Sequence, residues 1–142
     1  MRVLGVDVGA RRVGLAISDA TRTLARPLET IAVASDRDAV DRVVARITAL
    51  ASEDDGVETV VVGLPRRLDG TPTDATPRVA AFVAALRARI TVPIVTEDER
   101  LTSVEAERRL SARDRDWKTR KQKIDAVAAA IFLQDYLDRS RD

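Results

Sequence analysis

The chain has 142 residues and a net charge of +1, with 24 lysines and arginines, 23 aspartates and glutamates, no histidine and no cysteine. The missing histidines and cysteines exclude the usual zinc sites, imidazole bases, thiol nucleophiles and disulfides. Any catalysis must therefore use carboxylates, amines, hydroxyls, water or hard metal ions, and the length predicts one domain with a substantial core.

Apolar and β-branched residues predict an antiparallel meander of three strands at the start of the chain. Residues 2–8 and 13–18 are two apolar runs, and the four-residue break between them begins at Gly9, a spacing that favours a hairpin. Residues 23–33 follow as a third strand. Pro27 predicts that this strand lies at an edge or is bulged, because proline cannot donate to the ladder. Asp19 is expected to close a turn.

Two helices and two further strands are predicted between residues 35 and 96. Ser35 or Asp36 can cap the first helix, and Thr76 with Pro77 can cap and start the second. Residues 57–64 are almost continuously apolar, which is typical of a parallel strand covered on both faces, and residues 92–96 form a second buried strand. The apolar stripe of the first helix is Val40, Val43, Val44, Ile47 and Leu50. The stripe of the second helix is Val79, Phe82, Val83, Leu86 and Ile90.

Two capping boxes predict helices in the last third of the chain. Residues 102–105 open a helix that runs to about residue 110, and residues 119–122 open one that runs to about residue 137. The charged residues 111–118 between them are expected to form a loop. The element order predicts a single α/β domain over residues 1–142, in which a mixed five-stranded sheet, antiparallel on one side and parallel on the other, has helices on both faces.

Charge is unevenly distributed along the chain. Residues 36–58 carry seven acids and three bases, a net charge of −4, whereas residues 108–123 carry eight bases and two acids, a net charge of +6. One part of the molecule is therefore expected to attract polyanions.

There is no apolar run of membrane-spanning length and no charged leader at the start, so we expect a cytoplasmic protein without membrane contact.

Acidic residues follow the predicted strands at their carboxyl ends, where open α/β sheets bind ligands. Asp7 ends the first strand and Glu97, Asp98 and Glu99 end the fifth, although strand alternation lets only one or two of these three face a shared site. Asp125 joins an apolar stripe of the last helix that should face the sheet. Such carboxylates suit Mg²⁺ or Mn²⁺, and two such ions could activate water and stabilise the leaving oxygen of a phosphodiester.

Each of the two isolated acids also has a structural interpretation. Asp7 could bond to the backbone of Gly9 in the turn that follows it. Asp125 could be a buried helix carboxylate paired with Lys121 or Arg100. The position of both acids on faces that converge at one sheet edge favours the ligand interpretation.

Four motifs are distributed over essentially the whole chain. They are residues 7–19 (DVGARRVGLAISD), 62–70 (VGLPRRLDG), 98–102 (DERLT) and 123–129 (KIDAVAA). In this order and spacing they resemble the YqgF/RuvX family. The family often has threonine at the position of Ser103, and serine keeps the hydroxyl.

This resemblance implies an RNase H-like fold related to Holliday-junction resolvases. It implies a nuclease that processes the 5′ end of the small-subunit (pre-16S) ribosomal RNA precursor in bacteria, or a resolvase of branched DNA. The catalytic set that it implies is Asp7, Asp98, Glu99 and Asp125, with Asp7, Glu99 and Asp125 as ligands of Mg²⁺ or Mn²⁺, although the sequence does not separate Asp98 from Glu99.

Basic residues near these acids are candidates for contacts with phosphates. The arginine pairs after the first and fourth strands could grip phosphates or simply be solvated loop residues, and the sequence favours neither. The basic run before Asp125 favours contact with a nucleic-acid backbone. Few aromatic residues are available for stacking, so recognition of shape or backbone is expected. The candidates are Arg11, Arg12, Arg66, Arg67, Arg100, Arg120, Lys121 and Lys123.

Two other functions are compatible with parts of the sequence. An Asp-x-Gly turn also opens the actin-like and sugar-kinase folds, but these need two such domains to enclose a nucleotide. A non-catalytic ribosome-assembly or recombination factor could keep the fold for binding alone. The sequence does not indicate an oligomeric state.

Overall fold

The computed structural model describes residues 1–67, 69–98 and 117–140, and for residues 117–124 it describes the backbone alone. The elements in chain order are β1 (Arg2–Val8), β2 (Arg12–Ser18), β3 (Ala25–Ala32), α1 (Asp36–Ala51), β4 (Val57–Leu64), α2 (Thr76–Arg87), β5 (Ile94–Asp98) and α3 (Trp117–Ser140). No helix of these described segments is both long enough and apolar enough to span a membrane.

The five strands form one sheet in the order β3-β2-β1-β4-β5. β1 pairs antiparallel with β2, β2 pairs antiparallel with β3, and β1, β4 and β5 are parallel to one another. The predicted mixed sheet is confirmed. β3 is an edge strand and its register slips opposite Leu15 and Ala16, next to Pro27, as the proline predicted.

Strand alternation divides the core between the two faces of the sheet. Leu4 and Val6 of β1 point to the face covered by α1 and α2, where the predicted stripes of both helices are buried except for Val44 and Ile90. These two are partly buried, and Ile90 lies beyond the end of α2 at Arg87. Val3 points to the opposite face, which α3 covers with Phe132 and Leu133. Burying each such large apolar side chain contributes about 1.5–3 kcal/mol.

Small residues let α3 lie unusually close to the strands. The α3 face of the sheet carries Gly5, Gly14 and Ala16, and the helix presents alanines to it. A Cβ at Gly5 would lie 3.1 Å from Leu133 Cβ, which is tighter than most real contacts. α3 therefore contacts the strands through its backbone as well as its side chains.

Some predicted boundaries were wrong, each for a local reason. β3 starts at Ala25 and not at residue 23, because the Asp19 carboxylate accepts the amides of Thr23 and Leu24. This confirms Asp19 as the residue that closes the turn. β5 starts at Ile94 because Pro93 has no N–H to donate.

Among the predicted helix starts within the described residues, that of α1 is confirmed and those of α2 and α3 need correction. Ser35 caps α1 by accepting the Asp38 amide, as expected. Thr76 does not cap α2, because its hydroxyl donates to the Pro65 carbonyl while Ala75 occupies the cap position. α3 begins at Trp117, before the predicted box at residues 119–122, since lysine and arginine are good helix formers. The helix predicted at residues 102–110 lies outside the described residues.

Candidate active site

Asp7 lies near the carboxyl end of β1, on the face of the sheet that α3 covers. Its partner across the β1–β2 ladder is Gly14. Residues directly opposite each other on antiparallel strands point to the same face, with their Cβ positions about 5 Å apart. The Asp7 side chain therefore lies next to Gly14, which has no side chain. The Gly9 amide donates to the Arg12 carbonyl at 2.8 Å, so the hairpin turn satisfies this amide without Asp7.

Asp125 of α3 lies on the same face of the sheet, next to Gly14. An ideal Cβ on Gly14 would lie 2.2 Å from both the carbonyl carbon and the carbonyl oxygen of Asp125. The backbone of α3 therefore rests directly on Gly14, which is itself the ladder partner of Asp7. Two aspartates that are far apart in sequence thus become neighbours on one face of the sheet, at the carboxyl end of its central strand.

The Asp125 carboxylate is bound by an arginine of β2. Arg12 Nε donates to Asp125 Oδ2 at 2.9 Å. The Asp125 side chain is only 18% exposed and the Arg12 side chain is 33% exposed, so the ion pair is half-buried. Sequence reasoning considered Lys121 or Arg100 as the partner and missed Arg12. The available signal was alternation, because Arg12 and Gly14 point to the same face of β2.

The acids at the end of β5 are not equivalent. Glu97 is paired in register with Gly63 and points to the α3 face, where it forms an ion pair with Arg139. Asp98 alternates with Glu97 and so belongs to the same face as Ile94, which is the α1–α2 face. Glu99 lies outside the described residues. Within the described ranges, no three acids form a group that could hold a metal ion.

The basic candidates after β1 and β4 lie on loops at this same edge. Arg11 is exposed at the tip of the β1–β2 hairpin. Arg66 donates from Nη1 to the Gly70 carbonyl at 3.2 Å, and Arg67 is exposed in the same loop. Arg120, Lys121 and Lys123 belong to the first turns of α3, before Asp125, and Arg100 lies outside the described residues.

Solved structures share this architecture. Thermus thermophilus RuvC in complex with a Holliday junction substrate superimposes with a TM-score of 0.57 at 18% identity, over 99% of this chain and 96% of that one. The fowlpox virus Holliday junction resolvase gives a TM-score of 0.52 at 15% identity, over 98% and 99%. The chain therefore has the RNase H-like fold of the resolvase-type nucleases.

The family follows from the sequence comparison. The chain belongs to the RuvX family, whose model is described as Holliday junction resolvase and matches residues 1–139. A relative from Geobacillus kaustophilus is 42% identical over 99% of this chain and 100% of its own length, and one from Chloroflexus aggregans is 44% identical over 99% and 95%. Both carry the provisional name pre-16S rRNA nuclease. The chain is a nuclease that acts on nucleic acid.

Proposed function

We propose that this chain is a divalent-metal-dependent nuclease that processes the 5′ end of the pre-16S rRNA precursor. The observation that carries the proposal is the meeting of Asp7 and Asp125 at the carboxyl end of β1, where α3 rests on Gly14. Two carboxylates in a shielded position favour a positively charged partner, which Arg12 provides to one oxygen of Asp125 and which a divalent cation would provide to both acids. The pair is therefore better explained as a binding site than as part of the core.

The residues present fit a hard divalent cation. Asp7 and Asp125 supply carboxylate oxygens from one face, because the α3 backbone at Asp125 rests on Gly14, the ladder partner of Asp7. We assign the third acid to Glu99 in preference to Asp98, because alternation directs Asp98 to the opposite face. When bound, Mg²⁺ or Mn²⁺ would lower the pKa of a water and stabilise charge on phosphate oxygens.

The basic residues have a complementary role. Arg11 and Arg67 are exposed on loops at the edge where Asp7 lies, and Arg66 precedes Arg67 in a half-buried position; these arginines would hold phosphates on either side of the cleaved bond. Guanidinium groups suit this task because their fork of donors matches phosphate oxygens. Such contacts position a backbone without reading bases, so the substrate would be selected by its shape.

The choice of RNA rests on the relatives and not on the site. Relatives about 40% identical over their whole length are named for pre-16S rRNA cleavage. A four-way DNA junction is the second candidate substrate, favoured by the description of the family model and by the junction held in the RuvC structure. Both substrates are joined by 3′–5′ phosphodiester bonds, so the proposed acids could act on either.

Cleavage assays test the proposal. Purified protein with Mg²⁺ or Mn²⁺ is expected to cut a pre-16S rRNA fragment at its 5′ end faster than a four-way DNA junction. Asp7→Asn and Asp125→Asn should each lower the cleavage rate more than about a hundredfold, because removal of even an indirect metal partner often costs ten- to a hundredfold.

A matched control distinguishes the loss of a site carboxylate from the loss of a negative charge elsewhere on the protein. Asp54→Asn makes the same chemical change in an exposed residue before β4, at the opposite end of the parallel strands, and should cleave at the wild-type rate. Wild-type protein that cuts neither substrate, together with normal cellular function of Asp7→Asn, would favour the non-catalytic assembly factor. Preferential cutting of the junction would reassign the substrate to branched DNA.

A further inference from the structure

We propose that Arg12 is an internal competitor of the divalent cation, holding Asp125 in the metal-free protein and releasing it when a nucleic-acid phosphate binds. This inference rests on the proposed function, because it presumes that Asp125 is a metal ligand. It adds a positioning role for Arg12 that couples metal loading to substrate binding.

The geometry supports competition. Arg12 Nε lies 2.9 Å from Asp125 Oδ2, so the guanidinium occupies one of the two oxygens that would bind a cation. Arg12 belongs to β2 and Asp125 to α3, and both elements are fixed against each other at Gly14. The ion pair is therefore set by the fold and does not depend on a chance meeting of two flexible side chains.

The electrostatics make the two cations compete for the same carboxylate. A guanidinium within hydrogen-bond distance of a ligand oxygen repels a divalent ion at the same carboxylate, and the half-buried position weakens screening by solvent. Metal binding should therefore be stronger once Arg12 has moved away. A protein without bound nucleic acid should consequently bind Mg²⁺ or Mn²⁺ weakly.

A phosphodiester offers Arg12 a new partner. Phosphate and carboxylate both match the guanidinium fork, and the Arg12 side chain is one-third exposed, so it can turn to a phosphate without unfolding β2. When Arg12 transfers to the backbone of a substrate, the Asp125 oxygen becomes available to the metal. By linkage, nucleic acid then raises metal affinity and metal raises nucleic-acid affinity by the same factor.

Mn²⁺ titration without nucleic acid tests the competition directly. Arg12→Gln should bind Mn²⁺ about tenfold more tightly than wild type, which corresponds to about 1.4 kcal/mol. Arg12→Lys, which keeps the positive charge, should stay within about twofold of wild type. Arg11→Gln removes the same charge from the adjacent exposed residue, and its Mn²⁺ affinity should also change less than about twofold.

Thermal melting gives a second readout that does not depend on activity. With a chelator, Arg12→Gln should melt at a lower temperature than wild type, because Asp125 loses its partner. At saturating Mn²⁺ the difference should close or reverse, since tighter metal binding adds more stability.

The outcomes separate the two proposals. Equal or weaker Mn²⁺ binding by Arg12→Gln, with wild-type binding that Asp7→Asn abolishes, would overturn the competition and leave the metal site standing. An equal rise in Mn²⁺ affinity in Arg11→Gln would also overturn the competition, because removal of any nearby positive charge would then explain the result. No Mn²⁺ binding by wild type or Arg12→Gln would overturn both the competition and the metal-dependent site.

Discussion

At the scale of single residues, Gly14 determines whether the candidate site exists. It is the ladder partner of Asp7, and its missing Cβ is the space in which the backbone of Asp125 lies. A glycine inside a strand often marks such a close approach of another backbone. The two aspartates can meet because this one position has no side chain.

Gly14→Ala is expected to destabilise the protein more than Gly5→Ala. An added methyl at Gly14 would overlap backbone atoms at 2.2 Å, whereas at Gly5 the nearest atoms, Leu133 Cβ at 3.1 Å and the Ala129 carbonyl oxygen at 3.2 Å, would have to shift by only a few tenths of an ångström. Overpacking in a core typically costs about 1–3 kcal/mol, and the cost rises with the shift that it forces. Denaturant unfolding of both variants measures the difference. Equal stability of the two would show that α3 does not rest on Gly14.

At the scale of elements, the sequence predicted the sheet better than it predicted the helix starts. Apolar and β-branched runs identified all five strands, because short runs of this kind between turn residues are typical of buried strands. The start of α3 was missed, since Trp117 has no capping signal and the following residues are compatible with helix or loop. The Arg12–Asp125 ion pair was missed because the partners considered were Lys121 and Arg100, whereas the packing of α3 on β2 selects Arg12.

The turn between β2 and β3 predicts a pH dependence of stability. The Thr21 hydroxyl, together with the amides of Thr23 and Leu24, stabilises the charged Asp19 carboxylate and lowers its pKa from 3.8 to about 2. A lowered folded-state pKa contributes stability that is fully present above about pH 4 and is lost as the pH falls towards 2.

Asp19→Asn isolates this contribution. Wild type should be more stable than Asp19→Asn at neutral pH, and the difference in unfolding free energy should shrink between about pH 4 and pH 2. Urea unfolding of both proteins across this range provides the measurement. A difference that stays constant with pH would show that the Asp19 carboxylate gains nothing from the turn.

At the scale of the whole molecule, the fold was predictable and the site only partly so. The element order and the four motifs led to an RNase H-like nuclease, which the family match and the resolvase structures confirm. Asp7 and Asp125 were singled out because both lie at converging positions. Asp98 and Glu99 were not separable, because alternation at the end of β5 can be assigned only once Ile94 is seen to pack on the α1–α2 face.

The asymmetry of charge predicts strongly salt-dependent binding to nucleic acid. Residues 108–123 carry a net charge of +6, and Arg120, Lys121 and Lys123 precede Asp125 in α3. If each contacts one phosphate of a DNA junction, their joint replacement by Gln should reduce the slope of log affinity against log salt by about 2.7. Arg42→Gln is the control, because Arg42 pairs with Asp38 on α1. An unchanged slope in the triple variant would place the contacts elsewhere.

The convergence of Asp7 and Asp125 on one cation is tested most directly by a crystal structure of the protein in Mn²⁺ at a concentration high enough to displace Arg12. Anomalous scattering should locate an ion bonded to a carboxylate oxygen of each aspartate, at about the 2.1 Å typical of small hard divalent ions. An ion bound elsewhere, or these two carboxylates turned away from each other with neither touching manganese, would contradict the account.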